Sequence, residues 1–428
     1  MIDRSQQPPL YDLEEFRLAK PQTCVLPNGV KLYMFDNDDV EVTRIDLVFN
    51  AGRAHQSQLL QALFTNRMLR EGTLQLSRAQ IAERLDFYGA WMEQHVSFHH
   101  SFFTLYTLNK YLAPTIELLS QMVKQPAFDA QVLEVVKQNN LQRHLVALQQ
   151  PNAQARRMFL SEIYSTDHVM GQLAEAIDYQ AVNADMLKSY HKQWYHHRNV
   201  TVYMAGHITQ ECLDLVTQAF GEPFGEIPQG GEVHFAPVPQ RPAKQLFKEM
   251  PGKAQSSVLI GKSTIGLHHP DCMQLRVLIT LLGGFFGSRL MSTVREEKGL
   301  TYGIYAVLNP SPYDNALMIL SDCDHRFVQP LLSETYHQID RLQNELVSDD
   351  ELALVRSTMK GELMRTYDSR LSLNDAWIYL HTQGLPDDYF HRYWQAISNV
   401  TSEDLQRLAG TYLGKDTLTE IVVGEKMS

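Results

Sequence analysis

The sequence predicts an α+β protein made of two similar halves, and three observations support this prediction. Runs of strand-like residues are followed by runs of amphipathic helical residues, which is the pattern of α+β proteins. The same order of elements occurs twice along the chain. A proline- and glycine-rich segment, residues 221–244, separates the two copies and has the composition of a linker. The predicted domains are therefore residues 1–235 and 236–428, and the alternative is one large α+β domain with a proline-rich loop.

The first half begins with strand-like residues and continues into helices. Its first helical stretch is followed by Gly72, a residue type that commonly caps a helix C-terminus. The predicted strands are residues 25–32, 42–49 and 200–205, with an alternating stretch at 91–108, and the predicted helices are residues 58–70, 78–88, 111–124 and 130–147.

The second half repeats this order of elements. A glycine-rich turn at residues 283–287 connects two of its helices, and Gly299 ends the second of them. The predicted strands are residues 257–261, 302–308, 317–321 and 419–423, and the predicted helices are residues 271–282, 288–298, 328–345 and 349–366.

Composition and charge restrict the class of partner. The chain has 428 residues, of which 44% are hydrophobic and 20% charged, so it can bury large cores. Its net charge of −11 disfavours nucleic acid as a partner, because proteins that bind nucleic acid usually present a basic face. The longest apolar run, residues 275–286, is too short to cross a bilayer, which requires roughly 20 apolar residues. We therefore expect neither nucleic acid nor a membrane as a partner.

The compartment is inferred from the cysteines and the N-terminus. The four cysteines lie far apart and form no C-x-x-C pair, which fits free thiols in a reducing compartment. The N-terminus has no apolar segment after a basic start, so it does not resemble a secretory signal. The expected location is the cytoplasm, and a periplasmic location would require that a signal peptide has been removed.

A motif in the first helix indicates which family the chain resembles. Residues 63–73 read LFTNRMLREGT. Peptidases of the insulinase/pitrilysin family carry H-x-x-E-H at this place, followed by a short apolar stretch and Gly-Thr. The chain resembles this family over nearly its whole length, because short sequence segments at residues 26–30, 49–52, 128–129 and 288–302 follow the family's order and spacing. The resemblance implies two α/β-sandwich halves, each a mostly antiparallel sheet covered by helices, that together form half of a clamshell.

The motif lacks the groups that hold zinc in these peptidases. In H-x-x-E-H, two histidines one helical turn apart bind one zinc ion, and the glutamate acts as general base on zinc-bound water. Here Leu63 has no lone pair, Asn66 cannot take up a proton near neutral pH, and Arg67 is a cation that repels a metal ion. The resemblance places the third ligand, a glutamate, within residues 138–144, and this stretch contains no acid. We therefore expect no catalytic residue and no metal in this chain.

Histidines elsewhere in the first half offer no replacement site. His95, His99 and His100 lie in the stretch that is predicted to be extended. His95 and His99 would share one face of a strand, but four residues of strand span about 13 Å, which is too far for one metal ion to bridge. We expect these histidines to be solvated or locally hydrogen-bonded.

Two residues of the second half match substrate contacts of the family that the chain resembles. This resemblance implies that Arg295 and Tyr302 hold backbone carbonyls of a bound peptide across the cleft from the zinc site. A guanidinium and a phenol can both donate hydrogen bonds to carbonyl oxygens. The alternative is that Arg295 pairs with Glu296 or Glu297 and that Tyr302 belongs to the core. We assign no substrate contact to the short turn at residues 283–287.

The resemblance also implies a paired arrangement. Family members with two halves and about this length often work in pairs, as in the two-chain processing peptidases. One chain supplies zinc and the general base, and the other supplies the arginine, the tyrosine and the far wall of the chamber. The predicted function is the non-catalytic subunit, with peptides and a zinc-bearing homologous subunit as partners and with zinc expected only in that subunit. The alternative is a structural or peptide-holding homodimer without peptidase activity, while an independently active peptidase would need a metal site that the sequence does not offer.

Overall fold

The described part of the chain forms two β-sheets and many helices, which confirms the predicted α+β class. The predicted domain boundary near residue 235 lies outside the described residues, together with part of the proline-rich segment. The structure is a computed structural model and describes residues 15–37, 41–227, 237–239, 241–310 and 314–426.

The strands divide between the two sheets according to the half of the chain in which they lie. The first sheet contains β1 (Gln22–Val25), β2 (Lys31–Asp36), β3 (Val42–Phe49), β4 (Trp91–Val96), β5 (Ser101–Leu108) and β6 (Val200–Gly206). The second sheet contains β7 (Gln245–Glu249), β8 (Ser256–Ile265), β9 (Thr301–Pro310), β10 (Asp314–Cys323) and β11 (Thr419–Gly424).

Helices follow and connect these strands in both halves. The helices of the first half are α1 (Gln61–Met68), α2 (Arg78–Tyr88), α3 (Leu112–Lys124), α4 (Ala130–Ala147), α5 (Pro151–Tyr164), α6 (Ala176–Ala181), α7 (Ala184–Trp194) and α8 (Gln210–Phe220). Those of the second half are α9 (Cys272–Ile279), α10 (Val328–Asn344), α11 (Asp349–Thr366), α12 (Arg370–Thr382), α13 (Tyr389–Asn399) and α14 (Ser402–Tyr412). No helix in the described ranges combines the length and apolar composition needed to cross a bilayer.

The two sheets repeat one topology. The strand order is β1-β2-β6-β3-β5-β4 in the first sheet and β7-β11-β8-β10-β9 in the second. From β2 onward the two orders correspond strand by strand. One pair in each sheet is parallel: β2 with β6 in the first and β7 with β11 in the second. Each of these pairs joins the first and the last of the corresponding strands along the chain. The other pairs are antiparallel. The repeat that the sequence predicts from the order of its elements is therefore present in the fold.

Several predicted elements are divided or altered. The strand predicted at residues 25–32 is wrong, because a turn separates β1 from β2 and Gly29 takes a left-handed φ of 90° there. The stretch at residues 91–108 is a hairpin, because the Ser97 N–H donates to the His100 carbonyl at 2.8 Å and closes a turn between β4 and β5. The helix predicted at residues 288–298 is largely a π-helix, Met291–Glu297, and a second π-helix, Thr280–Gly284, follows α9.

One helix from each half packs on the sheet of the other half. Helix α5, from the first half, packs on β8 and β11, and α12, from the second half, packs on β2 and β6. Phe159 of α5 is fully buried in a cluster with Leu259 and Ile421 of the second sheet. Ile378 of α12 is buried against Val48 and Tyr203 of the first sheet. Hydrophobic clusters thus join the two halves, and the core of the second half also includes Phe35 and Ala205 of the first sheet.

Candidate functional site

The segment that the resemblance aligns with the zinc motif lies on α1, where its asparagine has a structural role. Asn66 is 1% exposed, and its Nδ2 donates to the Phe102 carbonyl of β5 at 3.2 Å. Gln94 of β4 donates from Nε2 to the Asn66 carbonyl at 2.5 Å. These bonds hold the end of α1 to the edge of the first sheet. Leu63, one turn earlier, is half-buried and offers no polar atom.

Arg67 faces a cavity of about 440 Å³ whose walls come from α1, α2, α4 and β4. Asn139, Asn140 and Arg143 of α4 line the same cavity. The fold therefore brings α1 together with the stretch in which the family resemblance places the third zinc ligand. Burial and the neighbouring charge of Arg143 lower the pKa of Arg67, and the guanidinium remains a cation.

The residues at this place do not fit a zinc ion. Zinc in proteins takes thiolate, imidazole or carboxylate ligands. The cavity presents guanidinium and amide groups from Arg67, Arg143 and Asn140 instead. Across the described ranges, no group of three or more histidine, cysteine, aspartate or glutamate side chains is arranged to hold a metal ion.

The histidines of the first half lie at the turn between β4 and β5. Only His95 belongs to a strand, so the sequence-based view that His99 and His100 extend that strand is wrong. Rings of His55 and His99 lie 6.3 Å apart between centroids, and those of His99 and His100 lie 6.2 Å apart. Burial lowers the pKa of His99 to about 4 and that of His100 to about 3, and repulsion between the imidazoles adds to both shifts. These imidazoles are therefore neutral at pH 7.

The second predicted pair forms a stacked group on the surface. Tyr302 is 86% exposed at the start of β9, so it is not a core residue. The Arg295 guanidinium lies 5.3 Å from the centre of the Tyr302 ring and 4.7 Å from the centre of the Phe286 ring. Among the described residues, Arg295 forms no ion pair with Glu296 or Glu297. We call Phe286, Arg295 and Tyr302 the aromatic–arginine group.

The glycine-rich turn places Phe286 in this group. A Cβ on Gly283 would lie 2.5 Å from the backbone nitrogen of Ala306, so only glycine permits the turn to approach β9 this closely. Phe286 follows in the turn and is 61% exposed. The sequence alone predicts no substrate contact for this turn. An exposed phenylalanine nine residues before a helical arginine carries no signal until the turn geometry is known.

Comparison with protein families identifies the fold. Residues 34–176 match the family model described as insulinase (peptidase family M16), and residues 181–359 match the model described as peptidase M16 inactive domain. The two matches together cover well over half of the chain. The chain belongs to the M16 (insulinase) family.

Individual M16 relatives match over most of the chain at low identity. The uncharacterised zinc protease YmxG of Bacillus subtilis is 23% identical over 356 residues, which are 82% of this chain and 85% of that protein. The non-peptidase homologue YmxG of Helicobacter pylori is 24% identical over 396 residues, which are 89% of each chain. The crystal structure of a peptidase M16 inactive domain from Pseudomonas fluorescens matches with a TM-score of 0.85 and 22% identity, and covers 95% of this chain and 99% of that one.

These likenesses support one common conclusion. Residues 34–176 match the insulinase model. Residues 181–359, most of which lie in the second half, match the model of the inactive domain. The chain is a non-catalytic M16-like protein.

Proposed function

We propose that this chain is the non-catalytic subunit of an M16 peptidase, and that it binds peptide in a chamber shared with a zinc-bearing partner chain. The observation that carries this proposal is the exposed aromatic–arginine group in a chain whose zinc motif is substituted. A guanidinium stacked between two rings keeps its N–H groups at its edge, where they can donate to peptide carbonyls. The Tyr302 hydroxyl supplies one more donor.

The position of the group in the family fold supports this role. The family resemblance assigns Arg295 and Tyr302 to substrate contacts, and neither is committed to an ion pair or a core in the described part of the chain. A group that reaches across to a partner's zinc site needs side chains that are ordered and yet free to donate. Stacking on the two rings orders the Arg295 guanidinium, and exposure leaves its N–H groups and the Tyr302 hydroxyl available to donate.

The first experiment combines metal analysis with a cleavage assay. The purified chain is analysed for zinc and is assayed with quenched fluorescent peptides, alone and after mixing with a zinc-bearing relative from the same source. We expect no stoichiometric zinc, no cleavage by the chain alone, and cleavage gained or enhanced on mixing. Stoichiometric zinc with cleavage by the lone chain would contradict the proposal. A stable homodimer that activates no relative would favour the structural or peptide-holding alternative.

The role of the aromatic–arginine group is tested in the assembled pair. Replacing Arg295 and Tyr302 together with alanine should lower turnover about tenfold or more, because two hydrogen bonds to the substrate backbone are lost. Zinc content should be unchanged, since neither residue binds the metal. Tyr305→Ala is the matched control, because Tyr305 is also exposed on β9 and, among the described contacts, its ring does not stack on the Arg295 guanidinium. Equal turnover in the double variant and the wild type would reject the assigned role.

A further inference from the structure

The cavity beside the substituted zinc motif is strongly basic in a chain that is acidic as a whole. Four arginines, Arg67, Arg70, Arg78 and Arg143, line it together with one acid, Glu71. The chain carries a net charge of −11, so this concentration of positive charge does not follow from its composition. The arginines come from α1 and the residues just after it, from α2 and from α4, so that the fold and not a run of basic sequence assembles the patch.

Most of this positive charge is not neutralised by the protein. Glu71 pairs with Arg78, with 3.1 Å between Oε2 and Nε. Within the described ranges, no ion pair involves Arg67, Arg70 or Arg143. Arg67 is half-buried and close enough to Arg143 for their charges to repel each other. A partly buried, unpaired charge costs free energy, and an anion in the cavity would remove that cost.

The remaining walls restrict the kind of anion. Ile81, Leu85 and Val136 form an apolar side of the cavity, next to the amide groups of Asn139 and Asn140. A volume of about 440 Å³ lies within the range of small-ligand pockets, about 300–1,000 Å³, and is larger than one inorganic oxyanion needs. Guanidinium groups bind carboxylates through two parallel hydrogen bonds. The cavity thus offers charge for a carboxylate and an apolar wall for the group that bears it.

We infer that this cavity binds a peptide carboxylate, with Arg67 and Arg143 as its principal partners, in the place where catalytic relatives hold zinc. The carboxylate comes from the C-terminus of a peptide or from an acidic side chain. The inference rests on the proposed function in so far as it takes a peptide as the ligand. It adds a preference for the negatively charged end or residue of that peptide, and it gives the substituted motif a binding role of its own.

The test compares peptides that differ only in charge. Ligand-observed NMR titrations of the full chain would use a short N-acetylated peptide with uncharged side chains and a free C-terminal carboxylate, the same peptide with a C-terminal amide, and the amide with one internal glutamate. We expect at least one carboxylate peptide to bind about tenfold more tightly than the neutral amide, which corresponds to about 1.4 kcal/mol. Added salt should weaken this preference, because the contact is electrostatic and partly open to solvent. The first and third peptides show whether the terminus or the side chain is preferred.

Variants of the cavity make the test specific. Arg143 lies on the exposed side of α4, so the Arg143→Gln variant should fold normally. It should abolish the preference for the carboxylate peptides. Arg67→Lys keeps the charge and should retain part of the preference, whereas Arg67→Gln should not. Arg392→Gln is the matched control, because it removes one positive charge from a surface ion pair on α13.

The outcomes separate this inference from the proposed function. No partner subunit is present in the titration, so carboxylate binding can fail while mixing still restores cleavage, and the reverse can also occur. Equal affinity for all three peptides, or an unchanged preference in Arg143→Gln, would overturn the inference. If inorganic phosphate raised the melting temperature of the wild type but not of Arg143→Gln while the peptides bound equally, the cavity would be an oxyanion site and the peptide assignment would be wrong.

Discussion

At the scale of single residues, the histidines at the β4–β5 turn couple folding to pH. Burial lowers the pKa of His99 to about 4 and that of His100 to about 3, from an ordinary value of 6.5. As the pH falls below 6.5, these two histidines become protonated in the unfolded chain but stay neutral in the folded chain. The stability contributed by the neutral imidazoles is therefore complete above about pH 6.5 and is lost as the pH falls toward 4.

Replacing both histidines with glutamine should flatten this dependence. In urea unfolding at pH 7.5, 6 and 5, the wild type should lose stability faster than the His99→Gln/His100→Gln variant. The difference in slope should be less than about 1.4 kcal/mol per pH unit for each histidine, because one proton is the upper limit and partial exposure screens the effect. His268→Gln, at an exposed position, is the control and should follow the wild type. Parallel curves for the double variant and the wild type would show that these histidines do not titrate with folding.

The residues of the motif could be predicted, and the cavity beside them could not. Leu63, Asn66 and Arg67 stand at known spacing on one helix, so their chemistry can be evaluated from three letters of sequence. Arg143 lies in the stretch that sequence reasoning examined for a missing acid, and its charge was not connected with that of Arg67. Their proximity depends on how α4 packs beside α1, and helix packing leaves no local signal in the sequence.

At the scale of elements, a buried polar cluster docks α12 on the first sheet. Asp46 of β3 accepts from Thr104 at 2.7 Å and from Asn374 of α12 at 2.7 Å, and Arg44 lies 2.9 Å from its carboxylate. Arg44 also pairs with Asp375 of α12 at 2.6 Å. Asp46 and Asn374 are both essentially unexposed. A buried carboxylate is tolerated only with several donors, so each donor is costly to remove.

Asn374→Ala should therefore destabilise the protein by about 2–3 kcal/mol, because a buried carboxylate oxygen loses a hydrogen-bond donor. Urea unfolding at pH 7.5 measures this change. Asn344→Ala is the matched control, since Asn344 is exposed and, among the described residues, donates only to Asp340 of the same helix. The control should change stability by less than about 0.5 kcal/mol. Equal effects of the two substitutions would mean that the cluster does not hold α12 in place.

Elements with strong local signals were predicted well. The bounds of α2, α4 and α11 coincide with the predicted helices, and caps such as Ser77 and Asp129 explain where two of them begin. Helices α5 and α12 were not predicted as elements. The partners that define them are far away in sequence, as the separation of 328 residues between Asp46 and Asn374 shows. The π-helix at Met291–Glu297 also follows from packing and not from helix propensity.

At the scale of the whole molecule, the exchanged helices make each half depend on the other. The first half alone would lack α12, so that the face of its sheet around Val48 and Tyr203, now buried, would meet water. Helix α5 would lose the sheet on which Phe159 is buried. Exposed apolar surface of this kind favours loosely packed or aggregated states. The sequence repeat therefore does not imply two independently stable domains.

We expect residues 1–235 produced alone to bind an environment-sensitive hydrophobic dye and to unfold without a cooperative transition, whereas the full chain should unfold cooperatively. Size-exclusion chromatography, dye fluorescence and urea unfolding measure this difference. Co-expression of residues 1–235 with residues 236–428 is the control, because α5 and α12 can then dock on each other's sheets and restore cooperative unfolding. A monomeric 1–235 fragment with a sharp transition of its own would show that the exchanged helices are not required, and that each half of the repeat carries enough core to fold by itself.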